Sequence, residues 1–418
     1  MVYIMLAYNL TNRSLYNFDF TISKFTNLLY FFSIIYIIIL YSYISSNRIK
    51  TTFEYPIIIL CSFMGMIILL RTNDLFFWFL AIELQSFCFY TLAAYRTNRS
   101  YLQTEAGLKY FLFGSIASSL YLFGTSLLYI IMGTVNFDSI VALSYFPLEN
   151  NYIFHISLIL ILISLFFKLG IAPFHFWLPT VYTYSSSIIT YLFILLPKIP
   201  LFYLMYKFAA ISLSHIIYLP ILLSLFIGTV FAFQATNLKT FLAYSAIANA
   251  AFFLAPIMYQ STYSFSAFIF YLFSYSLMIT VAFLPILFLI RSDKSLAFTN
   301  LRDLIILKKI NPVLTFYYAL VAFGFAGVPP LMGFFAKLFI LLSALSFSAY
   351  LLVMILLVFS LISSFYYLRL VKILYFSFYL KHASLKSIPL IPALIITVFS
   401  LMSIFFSIYP TYFVLLLH

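Results

Sequence analysis

ILISLFFKLGIAPFHFWLP, residues 161–179, decides what kind of molecule this is. An apolar run leads without a polar break to Lys168, and Gly170 and Pro173 then interrupt it. Proline lacks the N–H that a helix interior needs, and its ring clashes with the carbonyl four residues back, so the run reads as a helix that breaks. Lys168 has about fifteen apolar residues before it, too many for its side chain to snorkel to an interface with ease. A lysine near a bilayer centre costs roughly 3 kcal/mol, so such residues normally face an internal or hydrated path.

The rest of the chain extends this reading. Of 418 residues, 65% are apolar and 7% charged, against roughly a quarter charged in a soluble domain, which excludes a water-soluble fold. Apolar runs of bilayer length recur near 27 to 45, 55 to 71, 74 to 95, 105 to 132, 153 to 172, 187 to 211, 215 to 234, 239 to 258, 262 to 290, 313 to 345, 348 to 375 and 388 to 416. They lack the period-two alternation of a membrane barrel. The expected fold class is therefore all-α, a polytopic transmembrane bundle of about twelve helices forming one membrane domain over 1–418.

The net charge of +13 does not form one basic face, so no nucleic-acid partner is expected. Arg48, Lys50, Arg96, Arg99, Lys239, Arg291, Lys294, Arg302, Lys308, Lys309, Lys381 and Lys386 fall in the odd-numbered connections, and the even-numbered ones hold only Arg71. That asymmetry places the odd connections on the side of synthesis and both termini on the other. The start, MVYIMLAYNLTNRS, shows neither a cleavable signal nor an Arg-rich transit pattern. Cys61 and Cys88 have no metal or redox spacing and read as inert packing residues. With 53 Phe and 36 Tyr, individual aromatics carry no functional weight, and an AT-rich coding bias accounts for their number.

A second break, Gly327-Val328-Pro329-Pro330-Leu331, repeats the G-[IV]-x-P-[FL] pattern of residues 170–174 and suggests an internal repeat, although two ordinary kinked helices would read the same. In transporters, paired interruptions point at the conduction path. The deep charges are Glu83, Lys168, Lys198 and Lys337, while Lys109, Lys207 and Lys239 lie nearer helix ends where snorkelling explains them. One acid cannot neutralise three lysines, which argues against purely structural ion pairs. Burial disfavours the ammonium form of a lysine and a nearby carboxylate favours it, so such a site can load and release a proton. Glu83, Lys168, Lys198 and Lys337 thus form a candidate proton relay. His175, just past Pro173, is placed to bridge lysine sites, or else serves as a structural hydrogen-bonder.

At these residues the chain resembles the antiporter-like subunit 2, or N, family of respiratory complex I, through IELQSFCFYTLAAY, EAGLKYFLFGSIASSLYLFGTSLLY, FKLGIAPFHFWLPTVY, QATNLKTFLAYSAIANAAFFL and AGVPPLMGFFAKLFIL, in family order from 82 to 341. The resemblance implies an antiporter-like fold with two inverted repeats and two proline-broken helices: N-terminal helices 1–73, a first half 74–211, a second half 212–346 and C-terminal helices 347–418. It implies that Glu83 is the acid of the first half, Lys168 the lysine of its broken helix, Lys198 the bridging lysine and Lys337 the terminal lysine, with Lys109 and Lys239 supporting. Thr180 stands where the family usually has Asp, and Ser185-Ser186-Ser187 where it has a Gly-Ala-Pro-like turn. The chain is also shorter at its N-terminus than the bacterial form, by about two helices.

The implied activity is that of a subunit of proton-translocating NADH:ubiquinone reductase in the mitochondrial inner membrane, bordered by other membrane-arm subunits and lipid. No cofactor or metal is expected in this chain: its histidines, 155, 175, 215, 382 and 418, make no bis-histidine haem pairs, and it has neither GxGxxG nor CxxCH. NADH, FMN, iron–sulfur clusters and ubiquinone are expected in other subunits. The alternatives are a subunit of a multisubunit cation/proton antiporter, a redox protein, and a structural assembly subunit whose buried lysines are dispensable.

Overall fold

The structure, a computed structural model, describes residues 17–45, 54–95, 101–144, 152–209, 211, 214–259, 261–288, 300–377 and 388–408. Arg48, Lys50, Arg96, Arg99, Arg291, Lys294, Lys381, Lys386, His382, His418 and the N-terminal MVYIMLAYNLTNRS fall outside these residues. Lipid offers no partner to a free N–H or C=O, so a spanning segment must satisfy its backbone internally, and the described chain does so with helices. They are α1 (Asn17–Ser45), α2 (Glu54–Arg71), α3 (Leu75–Ala94), α4 (Tyr101–Met132), α5 (Phe137–Ser144), α6 (Tyr152–Leu169), α7 (Trp177–Tyr184), α8 (Ser187–Leu195), α9 (Lys198–Ala209), α10 (Ser214–Gln234), α11 (Leu238–Ile257) and α12 (Thr262–Phe288). A 3₁₀ turn, Leu301–Leu304, leads to α13 (Ile305–Ile310), α14 (Pro312–Ala326), α15 (Met332–Ser346), α16 (Tyr350–Phe376) and α17 (Leu390–Ile408).

Among the described residues, eleven stretches of helix are long and apolar enough to cross a membrane, and α14 and α15 are shorter apolar helices. Side-chain hydroxyls are satisfied the same way as the backbone: Ser157 donates to the Phe154 carbonyl and Ser164 to the Ile161 carbonyl, both at 2.6 Å. The fully enclosed centre is built by α8 and α9, α11 and α12, while α4, α16 and α17 expose apolar side chains outward. Cys61 lies on an exposed face rather than in the packed interior, and Cys88 is half-buried.

The repeat suggested by the two Gly-Pro segments is visible in the backbone. Asp74 forms an antiparallel bridge with Asn136, and Asn237 forms one with Asn300. Each bridge is followed by a pair of long helices, α3 and α4 or α11 and α12, then by a short helical segment, then by a helix that breaks. Both broken helices end alike. Gly170 donates to the Phe167 carbonyl and Ile171 to the Phe166 carbonyl, while Gly327 donates to the Gly324 carbonyl and Val328 to the Phe323 carbonyl. This is the paired closing bond of a Schellman C-cap, which requires a left-handed residue just after the helix. Gly170 (φ +69°) and Gly327 (φ +84°) supply it. Following the chain from crossing to crossing puts Asp74 and Asn237 on opposite sides of the bundle, so the repeats are inverted. Connections on the odd side meet one another, with Lys308 donating to the Tyr375 carbonyl and Arg369 to the Phe233 carbonyl, both at 2.8 Å.

One crossing departs from the expected uniform helix. The run 187 to 211 is interrupted at Leu196-Pro197, which separates α8 from α9 and leaves Lys198 at the junction. Proline fits the start of α9 because an N-terminal turn has unused N–H groups.

A left-handed backbone costs a side-chain-bearing residue about 1–2 kcal/mol. Gly133 (φ +68°) has nothing within 4 Å of where a Cβ would sit, whereas at Gly170 a Cβ would come 2.3 Å from Cδ1 of buried Leu178. Gly133→Ala should therefore lower thermal stability only by the conformational amount, and Gly170→Ala by clearly more, read as the melting of the assembled protein in native membranes. Equal losses would show that the first break tolerates extra volume.

Candidate functional site

The three deep lysines share a local setting: each lies where a helix is interrupted. Lys168 is in the last turn of α6, Lys198 opens α9 after the Pro197 junction, and Lys337 on α15 faces the open end of α14. The C-terminal end of a helix leaves carbonyls without intrahelical donors and carries partial negative charge, which suits Lys168 and Lys337, whereas Lys198 opens a helix and finds its stabiliser elsewhere.

Lys168 has the one carboxylate. Its Nζ lies 3.2 Å from Glu83 Oε1 of α3, with side-chain exposures of 8% and 15%. It also donates to the hydroxyl of Tyr90 at 3.4 Å, two turns further along α3. The Tyr90 ring reaches this place because position 114 of α4 is glycine: a Cβ there would fall 1.8 Å from the Tyr90 hydroxyl oxygen. Below the break, Trp177 Nε1 donates to the Phe167 carbonyl at 3.0 Å, capping the end of α6.

Lys198 is buried without a carboxylate within 4.0 Å among the described residues. Its Nζ donates to the Tyr275 hydroxyl at 3.2 Å and lies 4.8 Å from the centre of that ring. Lys337 is buried likewise and donates to the carbonyls of Phe325 at 2.8 Å and Ala326 at 3.4 Å. Its Nζ is 5.4 Å from the centre of the Phe252 ring. Three copies of one functional group thus have three kinds of stabiliser: a carboxylate, a hydroxyl with a π face, and helix-terminal carbonyls.

Two small cavities adjoin Lys168. One of about 20 Å³ is bounded by Ile82, Gln85, Ser86, Phe89, Tyr110, Lys168, Pro197 and Leu201. The other, of about 10 Å³, touches both Lys168 and Lys198, with Tyr110, Trp177 and Tyr182 in its wall. A cavity needs about 10–15 Å³ to admit one water, so each is of single-water size. Gln85 Oε1, buried in the wall of the first, has no protein donor.

Not every expected residue joins this group. Lys109 pairs with Glu105 one turn earlier on α4, at 2.5 Å, and both are about two-fifths exposed on the outer side (41% and 39%). Lys239 donates to the Ser185 carbonyl at 2.6 Å, tying the start of α11 to the end of α7. His175 is buried beside the break, but its Nδ1 has no hydrogen-bond partner and it lines neither cavity next to Lys168. The structure therefore does not insert His175 between the lysines.

Lys207 does not snorkel. It is 2% exposed, hydrogen-bonds Asn73, and lies within 5.9 Å of the ring centres of Trp78, Tyr203 and Phe137. Its position in the last turn of α9 invited the interfacial reading, and two of the three enclosing rings come from distant parts of the chain, α3 and α5. Tyr90 and Tyr275 were missed because the number of aromatics hides which ones matter. Asn249, by contrast, stands out as an amide inside AIANAAFFL and could have been found.

Residues 72–363 match the family described as NADH:quinone oxidoreductase/Mrp antiporter, TM, and the chain belongs to this family of antiporter-like membrane proteins. Within it, the chain is 36% identical over 345 residues to NADH-ubiquinone oxidoreductase chain 2 of Rhizopus oryzae, covering 79% of this chain and 65% of that one. It is 36% identical over 335 residues to NADH-quinone oxidoreductase subunit N of Paramagnetospirillum magneticum, covering 78% and 68%. Among solved structures it is similar to a chain of respiratory complex I from Thermus thermophilus with bound aureothin, with TM-score 0.77 and 26% identity over 91% of this chain and 84% of that one. A chain of the Mrp complex from Dietzia sp. has TM-score 0.79 at 18% identity over 94% and 82%, a likeness of fold alone.

Removing one member of a buried ion pair costs about 3–5 kcal/mol because the other is left uncompensated, whereas replacing both can be nearly neutral. Lys168→Met alone should lower the amount of stable assembly, and Glu83→Leu with Lys168→Met should recover much of it, measured by native electrophoresis and thermal melting. Additive losses would mean that the 3.2 Å pair contributes no coupling.

Proposed function

We propose that this chain is a chain 2 (subunit N) type membrane subunit of proton-translocating NADH:ubiquinone oxidoreductase, and that Glu83, Lys168, Lys198 and Lys337 carry its proton path. The observation that carries the reading is the cavity shared by Lys168 and Lys198, one water in size, next to the Glu83 pair at the first break. Lys168 would release a proton when its contact with Glu83 loosens, and a water in the shared cavity would hand it to Lys198. Beyond Lys198 the path would enter the second half, whose terminal lysine is held by the open end of α14. Lys239 and Lys109 would act on the flanks, Lys239 by holding the end of the first broken helix and Lys109 through its outward pair with Glu105.

In this reading the functional units are the halves 74–211 and 212–346, between N-terminal helices (1–73) and C-terminal helices (347–418). The chain itself carries no redox cofactor. NADH, FMN, iron–sulfur clusters and ubiquinone belong to partner subunits of the complex, and other membrane-arm subunits and lipid cover the apolar outer faces of α4, α16 and α17. The location is the mitochondrial inner membrane, a choice supported by relatives named chain 2 in Rhizopus oryzae and Marchantia polymorpha. An antiporter subunit of the Mrp type fits the fold equally, but the relatives at 31–36% identity are oxidoreductase subunits and the Mrp chain is 18% identical.

The deciding experiment replaces Lys168 or Lys198 by Met, which keeps much of the side-chain length and removes the titratable amine. NADH-driven proton uptake by inverted membrane vesicles should fall at least tenfold at equal complex content, with coupled electron transfer falling alongside. Arg should rescue poorly at either position, because guanidinium holds its proton throughout the physiological range. Normal pumping by fully assembled Lys168→Met protein would remove the relay and leave the lysines as structural counter-ions.

A further inference from the structure

Buried hydroxyls and one amide lie near Lys198 and near the end of α14 that holds Lys337. We propose that the Tyr275 hydroxyl holds Lys198 in both of its protonation states, and that Tyr271, Asn249 and Tyr367 form a second hydrogen-bonded cluster beside it that ties α11, α12 and α16 together. The inference rests on the proton-path reading above and adds residues to it.

Tyr275 and Tyr271 are one turn apart on the same face of α12, and both are buried. The Tyr275 hydroxyl accepts from Lys198 Nζ at 3.2 Å. The Tyr271 hydroxyl donates to Asn249 Oδ1 of α11 at 2.9 Å, and Asn249 Nδ2 donates to the Tyr367 hydroxyl of α16 at 3.4 Å. The Tyr367 ring then stacks on Phe325 with centres 5.2 Å apart, and the carbonyl of Phe325 is the one that holds Lys337. Tyr275 packs edge-on against the same Phe325 ring at 6.0 Å. One residue at the end of α14 thereby touches the cluster with its ring and the terminal lysine with its backbone.

The chemistry of these groups separates their roles. A phenol hydroxyl both donates and accepts, so Tyr275 can accept from the ammonium of Lys198 and donate to its free amine. A carboxylate at that place would hold the ammonium form too firmly for exchange, as expected of a charge-assisted contact. Asn249 presents a fixed acceptor on one side and a fixed donor on the other, so it is a positioning residue. It sets the direction of the Tyr271 and Tyr367 hydroxyls and moves no proton itself. Tyr275 keeps its own proton throughout: it accepts from the ammonium of Lys198 and turns to donate to the amine, so it steadies both states of Lys198 and is a positioning residue. Purely structural hydrogen bonding would tie α11, α12 and α16 together equally well, and it would make the hydroxyls matter for stability alone.

Tyr275→Phe keeps the ring over Lys198 and removes only the oxygen. In the intact complex, at equal content and unchanged melting temperature, NADH-driven proton uptake should fall about tenfold, the size of one lost hydrogen bond to a charged group. The solvent deuterium isotope effect on turnover should rise as the proton step becomes limiting. Tyr275→Met serves as the readout if Tyr275→Phe does not assemble, and Tyr271→Phe, which leaves the Lys198 contact in place, should change pumping little. Normal pumping in the assembled Phe variant, with pumping lost in Lys198→Met, overturns this inference and leaves the proposed function standing. Normal pumping in Lys198→Met as well overturns both.

Discussion

Lipid cannot hydrogen-bond a backbone group or hydrate a charge, and everything distinctive about this chain follows from how it meets that constraint. Continuous helices satisfy the backbone but offer nothing to a cation. Where a helix stops inside the bundle, its last carbonyls lose their donors, and a buried ammonium loses its water. The structure brings these two deficits together. Lys337 takes the carbonyls of Phe325 and Ala326, and Trp177 caps the corresponding open end at Phe167 while Lys168, one residue on, turns to Glu83. At the second break the two deficits cancel directly, whereas at the first the helix end and the lysine each find another partner.

This coupling explains what was legible in the sequence. Glycine and proline act through local sterics that need no tertiary context, so the two broken helices could be read directly, while the repeat stayed open against two ordinary kinked helices and its inversion came from the family resemblance. Glu83, Lys168, Lys198 and Lys337 were legible for the opposite reason: each violates the apolar pattern around it. The identity of each lysine's partner was not legible. Tyr90 is one of 36 tyrosines, and what selects it is a missing side chain on another helix, at Gly114. Lys207 reads as a snorkelling residue because the rings that enclose it come from α3, α5 and its own helix. His175 sits at a suggestive sequence position, but the turn after Pro173 buries it away from both cavities beside Lys168.

The inverted repeat is symmetric in backbone and asymmetric in charge. Both halves have the same bridge, the same C-cap and the same paired long helices, whereas among the described residues the first half alone presents an acid to a buried lysine. A carboxylate 3.2 Å from an ammonium gains far more electrostatic energy in a dry site than a phenol oxygen does, because the interaction scales with charge and with the reciprocal of a low dielectric constant. The Glu83–Lys168 contact is consequently the stiffest electrostatic element of the site. The contacts of Lys198 and Lys337 are softer, made of dipoles and ring faces.

That ordering would give the proposed path a direction of control. A site held by a full charge changes state only when the distance to that charge changes, so Glu83 on α3 and Lys168 on the broken α6 form the point at which a movement of helices would alter proton affinity. Lys198 and Lys337, held by neutral groups on several helices, would respond instead to the protonation of their neighbours and to the orientation of hydroxyls. The cluster around Asn249 fits the second role, since rotating a phenol hydroxyl needs no helix to move. In the proposed path, coupling to events elsewhere in an assembly would enter through the first half, and the second half would follow it through the enclosed α11 and α12.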